Sequence, residues 1–262
     1  MKDIIVIVGP TGIGKTKLSI ELAKRLDAEI INGDSVSIYK DLDIGSAKPT
    51  IEEREGIPHH LIDIREVDED YTVFDYQRDV RQKIDEITLR NKRVIIVGGT
   101  GLYIKAGLYN YTFTEGTTYN QYEDMTNQEI LDRIKKFKVT ETPDLNNRKR
   151  LVNALNYCES NNKLFSEKEK TNKILYDTLF IGLTTDREKL YRRINKRVDL
   201  MVGEGLLEEA KKIYDSNIRT KAVLTPIGYN LIVTPKEIDF IVEILSDVIS
   251  SGINASDRKS VV

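Results

Sequence analysis

Apolar residues in this chain come in two alternating patterns. Short apolar runs, Ile4-Ile5-Val6-Ile7-Val8, Ala28-Glu29-Ile30-Ile31-Asn32, Arg93-Val94-Ile95-Ile96-Val97 and Leu179-Phe180-Ile181-Gly182-Leu183, have the length and β-branched content of buried strands. Between them apolar residues recur every three or four positions: Leu18, Leu22 and Leu26, then Val80, Ile84 and Ile87, and later Leu206, Leu207, Ala210 and Ile213. That spacing is one face of a helix. Pro58 to Ile64 reads as a loop running into a further strand. From Asp186, Leu190, Ile194, Val198 and Met201 are expected on the buried side of another helix, following a core strand at Leu179–Leu183. Strand and helix in alternation predict an α/β protein with a parallel sheet flanked by helices.

The pattern breaks once. Tyr109 to Asn127 is rich in Tyr, Thr and Asn and lacks periodicity. Ile130, Ile134 and Phe137 then mark a helix carrying Arg133, Lys135, Lys136 and Lys138, and Arg148-Lys149-Arg150 opens a second with Leu151, Leu155 and Cys158. The expected organisation is a core of 1–109 and 176–230, a small and mostly helical insertion at 110–175, and a divergent tail at 231–262.

Composition narrows the class. The chain has 262 residues, 40% of them hydrophobic, with 40 Lys+Arg against 42 Asp+Glu and a formal net charge of −2. Any nucleic-acid contact must therefore come from local basic patches, of which Arg133 to Lys138 and Arg148 to Arg150 are the candidates. One cysteine excludes an internal disulfide framework, and no apolar run reaches the roughly 20 residues of a membrane span. The cytoplasm is the expected compartment.

The first chemistry lies between the first run and the first helical stripe. Gly9-Pro10-Thr11-Gly12-Ile13-Gly14-Lys15-Thr16 is a complete P-loop in strand–loop–helix context. Its glycines let successive N–H groups and a helix N-terminus point at phosphate; Lys15 adds charge, and Thr16 a hydroxyl for Mg²⁺. The second run ends at Gly33-Asp34-Ser35, which puts Asp34 where α/β sheets carry chemistry, either as a reacting carboxylate or as a cap of the next turn. The third run ends in Gly98-Gly99-Thr100-Gly101, where many P-loop NTPases have an acidic Mg²⁺ ligand, so an ordinary hydrolysis cycle loses support. Thr100 is suited there to donate to a phosphate oxygen or to cap the following helix. Arg193 and Arg197, four apart, can reach the phosphate end of the sheet or lie in solvent. His59 and His60 are adjacent on a strand-like segment, point to opposite faces, and are expected to pack or hydrogen-bond rather than bind metal.

Taken together, GPTGIGKT, DSVSIYKDLDIGSAKP at Asp34–Pro49, PHHLIDI, GGTGLYIKA at Gly98–Ala106 and DREKLYRRINKRVDLMVGEGLLEEA at Asp186–Ala210 resemble the bacterial tRNA dimethylallyltransferase family, in order from Lys2 to about Tyr229. The resemblance implies a P-loop NTPase-like core that transfers a dimethylallyl group from dimethylallyl diphosphate to the exocyclic amine of an adenosine beside the tRNA anticodon. It implies that Gly9 to Thr16 cradle the diphosphate, that Thr16 holds Mg²⁺, and that Asp34, Thr100 and Arg197 are catalytic, with Arg193 only sharing a face. It further implies that Asp34, Ser35, Val36 and Ser37, together with Lys149, Arg150, Leu151, Val152 and Asn153, touch tRNA. The expected enzyme is a monomer with tRNA and dimethylallyl diphosphate as partners and no membrane.

After Tyr229 the chain departs from the family's basic, Trp-bearing C-terminal helix, although Ile238, Ile241, Ile244, Leu245 and Val248 keep helical spacing. Asp257 to Val262 reads like a translated sequencing adapter, so these residues are expected to be an assembly artefact. Three other classes share the P-loop core: a transferase acting on free adenine nucleotide, a small-molecule kinase, and an inactive or merely nucleic-acid-binding remnant. The acceptor that takes up label from dimethylallyl diphosphate separates them.

Overall fold

Strand β1 (Ile4–Val8) is the axis of the core, because it pairs in parallel on both sides, with β4 (Arg93–Val97) and with β5 (Thr178–Gly182). The computed structural model describes residues 3–111, 122–137, 144–161 and 173–224. Outward from β4 follow β2 (Ala28–Asn32) and the two-residue β3 (His59–His60), giving a five-stranded parallel sheet in the order β3-β2-β4-β1-β5. Helices α1 (Lys15–Leu26), α2 (Val73–Leu89) and α3 (Gly101–Leu108) follow β1, β3 and β4. After β5 come α6 (Arg187–Gly203) and α7 (Leu206–Asp215). In a parallel sheet every strand ends on the same edge, so the loops after β1, β2, β4 and β5 gather there.

The central strands are apolar because both faces are covered. Ile4, Val6, Ile7, Ile30, Ile31, Ile95 and Ile96 are buried, each fully buried Ile contributing roughly 1.5–3 kcal/mol. Helix α2 starts at a capping box, Thr72 accepting from the Asp75 N–H while the Asp75 carboxylate accepts from the Thr72 N–H. The buried Glu29 of β2 survives among apolar neighbours because His60 Nε2 and Arg90 Nη2 meet its carboxylate at 2.6 and 2.7 Å. Burial pulls its pKa up, but those hydrogen bonds outweigh it and hold the carboxyl below its ordinary range.

Two expectations are corrected. The strand at Leu179–Leu183 is an edge strand, not a core one: it pairs only with β1 among the described strands, and Leu179 and Phe180 are 44% and 42% exposed. An apolar run by itself does not tell a central strand from an edge. Helix α6 buries none of its residues, and Val198 is 40% exposed; of the expected stripe Leu190, Ile194 and Met201 are half-buried, Ile194 lying against Gly12 of the P-loop beside the contacts of Arg193 and Arg197.

The chain divides into two compact units, 1–108 with 174–262, and 109–173. The second unit contains α4 (Asn127–Lys135) and α5 (Arg148–Asn161), packed through Ile130, Leu131, Ile134, Leu151, Val152 and Leu155 with Tyr122. Arg148 is part of its frame: its guanidinium donates to the carbonyls of Tyr122, Glu123 and Met125 and to Asn127 Oδ1. No described helix is long and apolar enough to cross a membrane. Lys138, the turn at Pro226–Tyr229, the stripe from Ile238 to Val248 and the tail at 231–262 lie outside the described residues.

Candidate active site

The P-loop leaves β1 through Gly9 (φ 155°), Gly12 (φ 73°) and Gly14 (φ 104°), and Gly14 caps α1 in the left-handed region. Positive φ at Gly12 and Gly14 is what side-chain-free residues supply cheaply, and it turns the N–H groups of the loop inward above a helix N-terminus. Gly9 has a second reason: a Cβ there would lie 2.9 Å from the Leu183 carbonyl oxygen, where β5 ends. Lys15 Nζ donates to the Gly9 and Pro10 carbonyls at 2.8 and 2.9 Å, so the ammonium lies across the loop. Burial lowers its pKa, the charge of Asp34 works against that, and Arg197 lowers it further.

Helix α6 brings two arginines to this loop. Arg197 donates to Thr11 Oγ1 at 3.4 Å and to the Ala47 carbonyl at 3.2 Å. Its pKa is lowered first by burial, against the opposing pull of Glu53 and Asp34, and a guanidinium stays charged regardless. Arg193 does more than share the face, since it donates to the Ile13 carbonyl at 3.4 Å.

Asp34 sits in an Asx turn. Its Oδ1 accepts from the Val36 N–H at 2.9 Å, while Asn32 brackets it, Oδ1 accepting from Asp34 N–H and Nδ2 donating to Asp34 O. The carboxylate is thus a turn cap and also a wall of the site: Thr11, Lys15, Thr16, Asp34, Ser37 and Arg197 line one cavity of about 100 Å³. A neighbouring cavity of about 450 Å³ shares Lys15, Thr16 and Arg197 and adds Lys17, Glu53 and Arg193.

Thr100, before α3, is not in the wall of either cavity. Its hydroxyl oxygen accepts from the Ser35 N–H at 3.2 Å, and the O–H faces Ser35 Oγ at 3.4 Å, linking the loops after β2 and β4. The glycines before it have a packing cause, because the Gly33 N–H donates to the Val97 carbonyl at 2.7 Å and Gly98 lies against Gly33. His59 lines the smaller cavity: Nδ1 donates to the Ile57 carbonyl, and Nε2 has no hydrogen-bond partner among the described residues. Burial holds its pKa below the ordinary histidine range.

Among the described residues no group of three or more His, Cys, Asp or Glu could hold a metal ion. The Thr16 hydroxyl at the start of α1, with Asp34 in the same cavity, fits Mg²⁺ in the mode that ion prefers, few protein oxygens completed by phosphate oxygens and water. Of the residues expected at tRNA, Ser35 and Val36 are half-buried, Ser37 is buried, and Asn153 is half-buried. In the second unit Lys149 and Arg150 are exposed, whereas Leu151 and Val152 are in its apolar core, so their side chains are withdrawn from any surface.

Sequence patterns missed three things: the Gly33–Gly98 contact, the Asn32 bracket, and Glu209 of α7, whose carboxylate accepts from the N–H groups of Asp43, Ile44 and Gly45. Asn32-Gly33-Asp34 does carry a turn signal that could have found the second.

Comparison with known proteins gives one answer. The family described as IPP transferase matches residues 37–249. The tRNA dimethylallyltransferase of Bacillus velezensis is 48% identical over 240 residues, covering 87% of this chain and 76% of that protein. Among solved structures, a tRNA isopentenylpyrophosphate transferase from Staphylococcus epidermidis aligns with a TM-score of 0.62 at 39% identity, over 96% of this chain and 82% of the other. A eukaryotic dimethylallyltransferase acting on tRNA aligns with a TM-score of 0.78 at 30% identity, over 96% of this chain and 66% of the other.

Proposed function

Because the chain belongs to the IPP transferase family, we propose that it transfers a dimethylallyl group from dimethylallyl diphosphate to the exocyclic amine of an adenosine adjacent to the anticodon in tRNA, releasing diphosphate. The observation that carries this is the convergence of Asp34, Lys15, Thr16 and Arg197 on one cavity at the strand ends.

An adenine amine is a weak nucleophile, and the bond to be broken joins the allylic carbon to a diphosphate oxygen. Asp34 is the group that accepts a hydrogen bond from the amine, aims its lone pair, and takes its proton as the C–N bond forms. The Val36 N–H on Oδ1 fixes the plane of that carboxylate. The electron pair of the breaking C–O bond leaves with diphosphate, so negative charge grows at the P-loop. Lys15, the loop N–H groups, the α1 N-terminus and Arg197 meet that charge already oriented, which is where electrostatic stabilisation is largest. Thr16 would hold Mg²⁺, which when bound neutralises part of the diphosphate charge. Thr100 reaches a phosphate oxygen only by turning its O–H away from Ser35 Oγ, and its lasting part is to hold the Asp34–Ser37 turn.

A base inside an anticodon loop must unstack to enter such a cavity. Ser35 to Ser37 flank the carboxylate that receives it, and Lys149 and Arg150 are the exposed cations assigned to tRNA phosphates. We assign the core to 1–109 and 176–230, the tRNA-gripping insertion to 110–175, and a monomeric state in the cytoplasm, where tRNA is found. The test is incubation with labelled dimethylallyl diphosphate and tRNA, AMP or ATP in parallel. Label is expected on tRNA alone; label on a free nucleotide, or phosphate transfer from ATP to a small acceptor, would contradict the assignment.

A further inference from the structure

The loop from Asp34 to Pro49 supplies a wall of the smaller cavity through Ser37, Ser46, Ala47 and Pro49, and something must hold it in place. Part of the answer is internal: Ala47 N–H donates to the Ile44 carbonyl at 2.9 Å, closing a turn whose Ala47 is in the left-handed region at φ 54°. That conformation costs an alanine roughly 1–2 kcal/mol, so the turn needs outside support. Support comes from α7. One Glu209 carboxylate accepts from three consecutive main-chain N–H groups, Asp43 and Ile44 on Oε2 at 3.0 and 2.9 Å and Gly45 on Oε1 at 3.0 Å. Successive N–H groups turned to one side form an anion site, and here the anion is a side chain of the same protein.

The turn that Glu209 holds also reaches toward the P-loop. Its Ala47 carbonyl accepts from Arg197 Nη2 at 3.2 Å, shorter than the 3.4 Å between Arg197 Nη1 and Thr11 Oγ1. The chain of contacts therefore runs from the Glu209 carboxylate through Asp43–Gly45 and Ala47 to the guanidinium beside the P-loop. We propose that Glu209 is a positioning residue for the transfer reaction, placing the Ala47 carbonyl so that Arg197 is held ready for the donor diphosphate. This rests on the assignment of Arg197 to that diphosphate. Glu209 itself lines neither cavity.

The test is a double-mutant cycle on the full chain, read by titration with inorganic diphosphate and by prenyl transfer to tRNA. E209A is expected to weaken diphosphate binding about tenfold, the size of one hydrogen bond to a charged group, with KM for tRNA unchanged. R197A should cost more, and E209A/R197A no more than R197A alone, because both act through one guanidinium. Acetate, which fits the freed N–H groups, should partly restore E209A but not the double variant. If E209A does not fold, E209Q, which keeps one acceptor oxygen, takes its place with an intermediate loss expected. Losses that multiply in the double variant, or an E209A variant of reduced melting temperature with unaltered diphosphate affinity, would overturn the proposal. A wild type that binds diphosphate but labels no tRNA would sink the functional assignment instead, and the diphosphate titration would still decide the coupling.

Discussion

Gly98 lies so close to Gly33 that a Cβ on Gly98 would be 2.1 Å from both the carbonyl carbon and the carbonyl oxygen of Gly33. The ends of β4 and β2 touch main chain to main chain, which leaves no room for any side chain at Gly98.

Gly98→Ala is therefore expected to cost more than the 1–3 kcal/mol of ordinary overpacking, since backbone and not a side-chain tip must give way. Gly99→Ala meets nothing within 4 Å and should stay within about 0.5 kcal/mol of wild type. Thermal denaturation of the pair checks this, and equal melting temperatures would refute the contact.

Asp34→Ala should lower turnover by about 10²–10⁴-fold, the range of general base catalysis, while tRNA affinity changes little. Asp34→Asn keeps an acceptor for the Val36 N–H and so preserves the turn, yet should be equally slow. Single-turnover rates beside tRNA titrations separate the two roles; an Asn variant at wild-type rate would remove Asp34 as the base.

Arg197→Ala should cost on the order of 10²–10³ in turnover, as for loss of one preorganised donor. Arg193→Ala should cost less, because Arg193 is exposed and its contact with the Ile13 carbonyl is long, at 3.4 Å. Similar losses from both substitutions would make the two arginines one clamp.

How much of this was legible beforehand follows from the physics of each element. The runs that became β1, β2 and β4 were readable because burial on both faces leaves a short, mostly apolar stretch, and the P-loop because a phosphate cradle fixes residue types at fixed spacing. The exposure of β5 was not readable, since edge or centre depends on which strands pair beside it. Nor was the structural use of Arg148, whose charge looks the same in sequence whether it faces phosphate or four oxygens of its own unit. Glu209 and Gly45 are 164 residues apart, a separation that no local pattern spans.

The role of Arg148 changes the expected salt dependence of tRNA binding. Each phosphate neutralised contributes roughly −0.7 to −0.9 to the slope of log affinity against log salt, so neutralising Lys149 and Arg150 together should flatten the slope by up to about two such steps. Arg148→Ala should instead lower the melting temperature of the protein, by breaking the frame of the second unit. A salt titration at the wild-type slope in the Lys149/Arg150 variant would leave both as solvated charges.

Glu29 gives the fold an acid limit. Its pKa is held below the ordinary carboxylate value in the folded state, so its contribution is full above the unfolded value and is lost as pH falls through the folded one. Glu29→Gln should lower stability by about 2 kcal/mol at neutral pH, near the lower end for charged hydrogen bonds. The gap from wild type should close on acidification below the ordinary carboxylate range. Denaturant melts across that range check the sign, and a gap that widens at low pH would contradict it.

The most direct measurement is nucleoside analysis of one tRNA before and after reaction, beside the same tRNA with guanosine in place of the anticodon-adjacent adenosine. One prenyl group on that adenosine, matched mole for mole by diphosphate released and absent both from the guanosine tRNA and with Asp34→Ala enzyme, is the expected result. A prenyl group at another position, or diphosphate release without tRNA prenylation, would contradict the account.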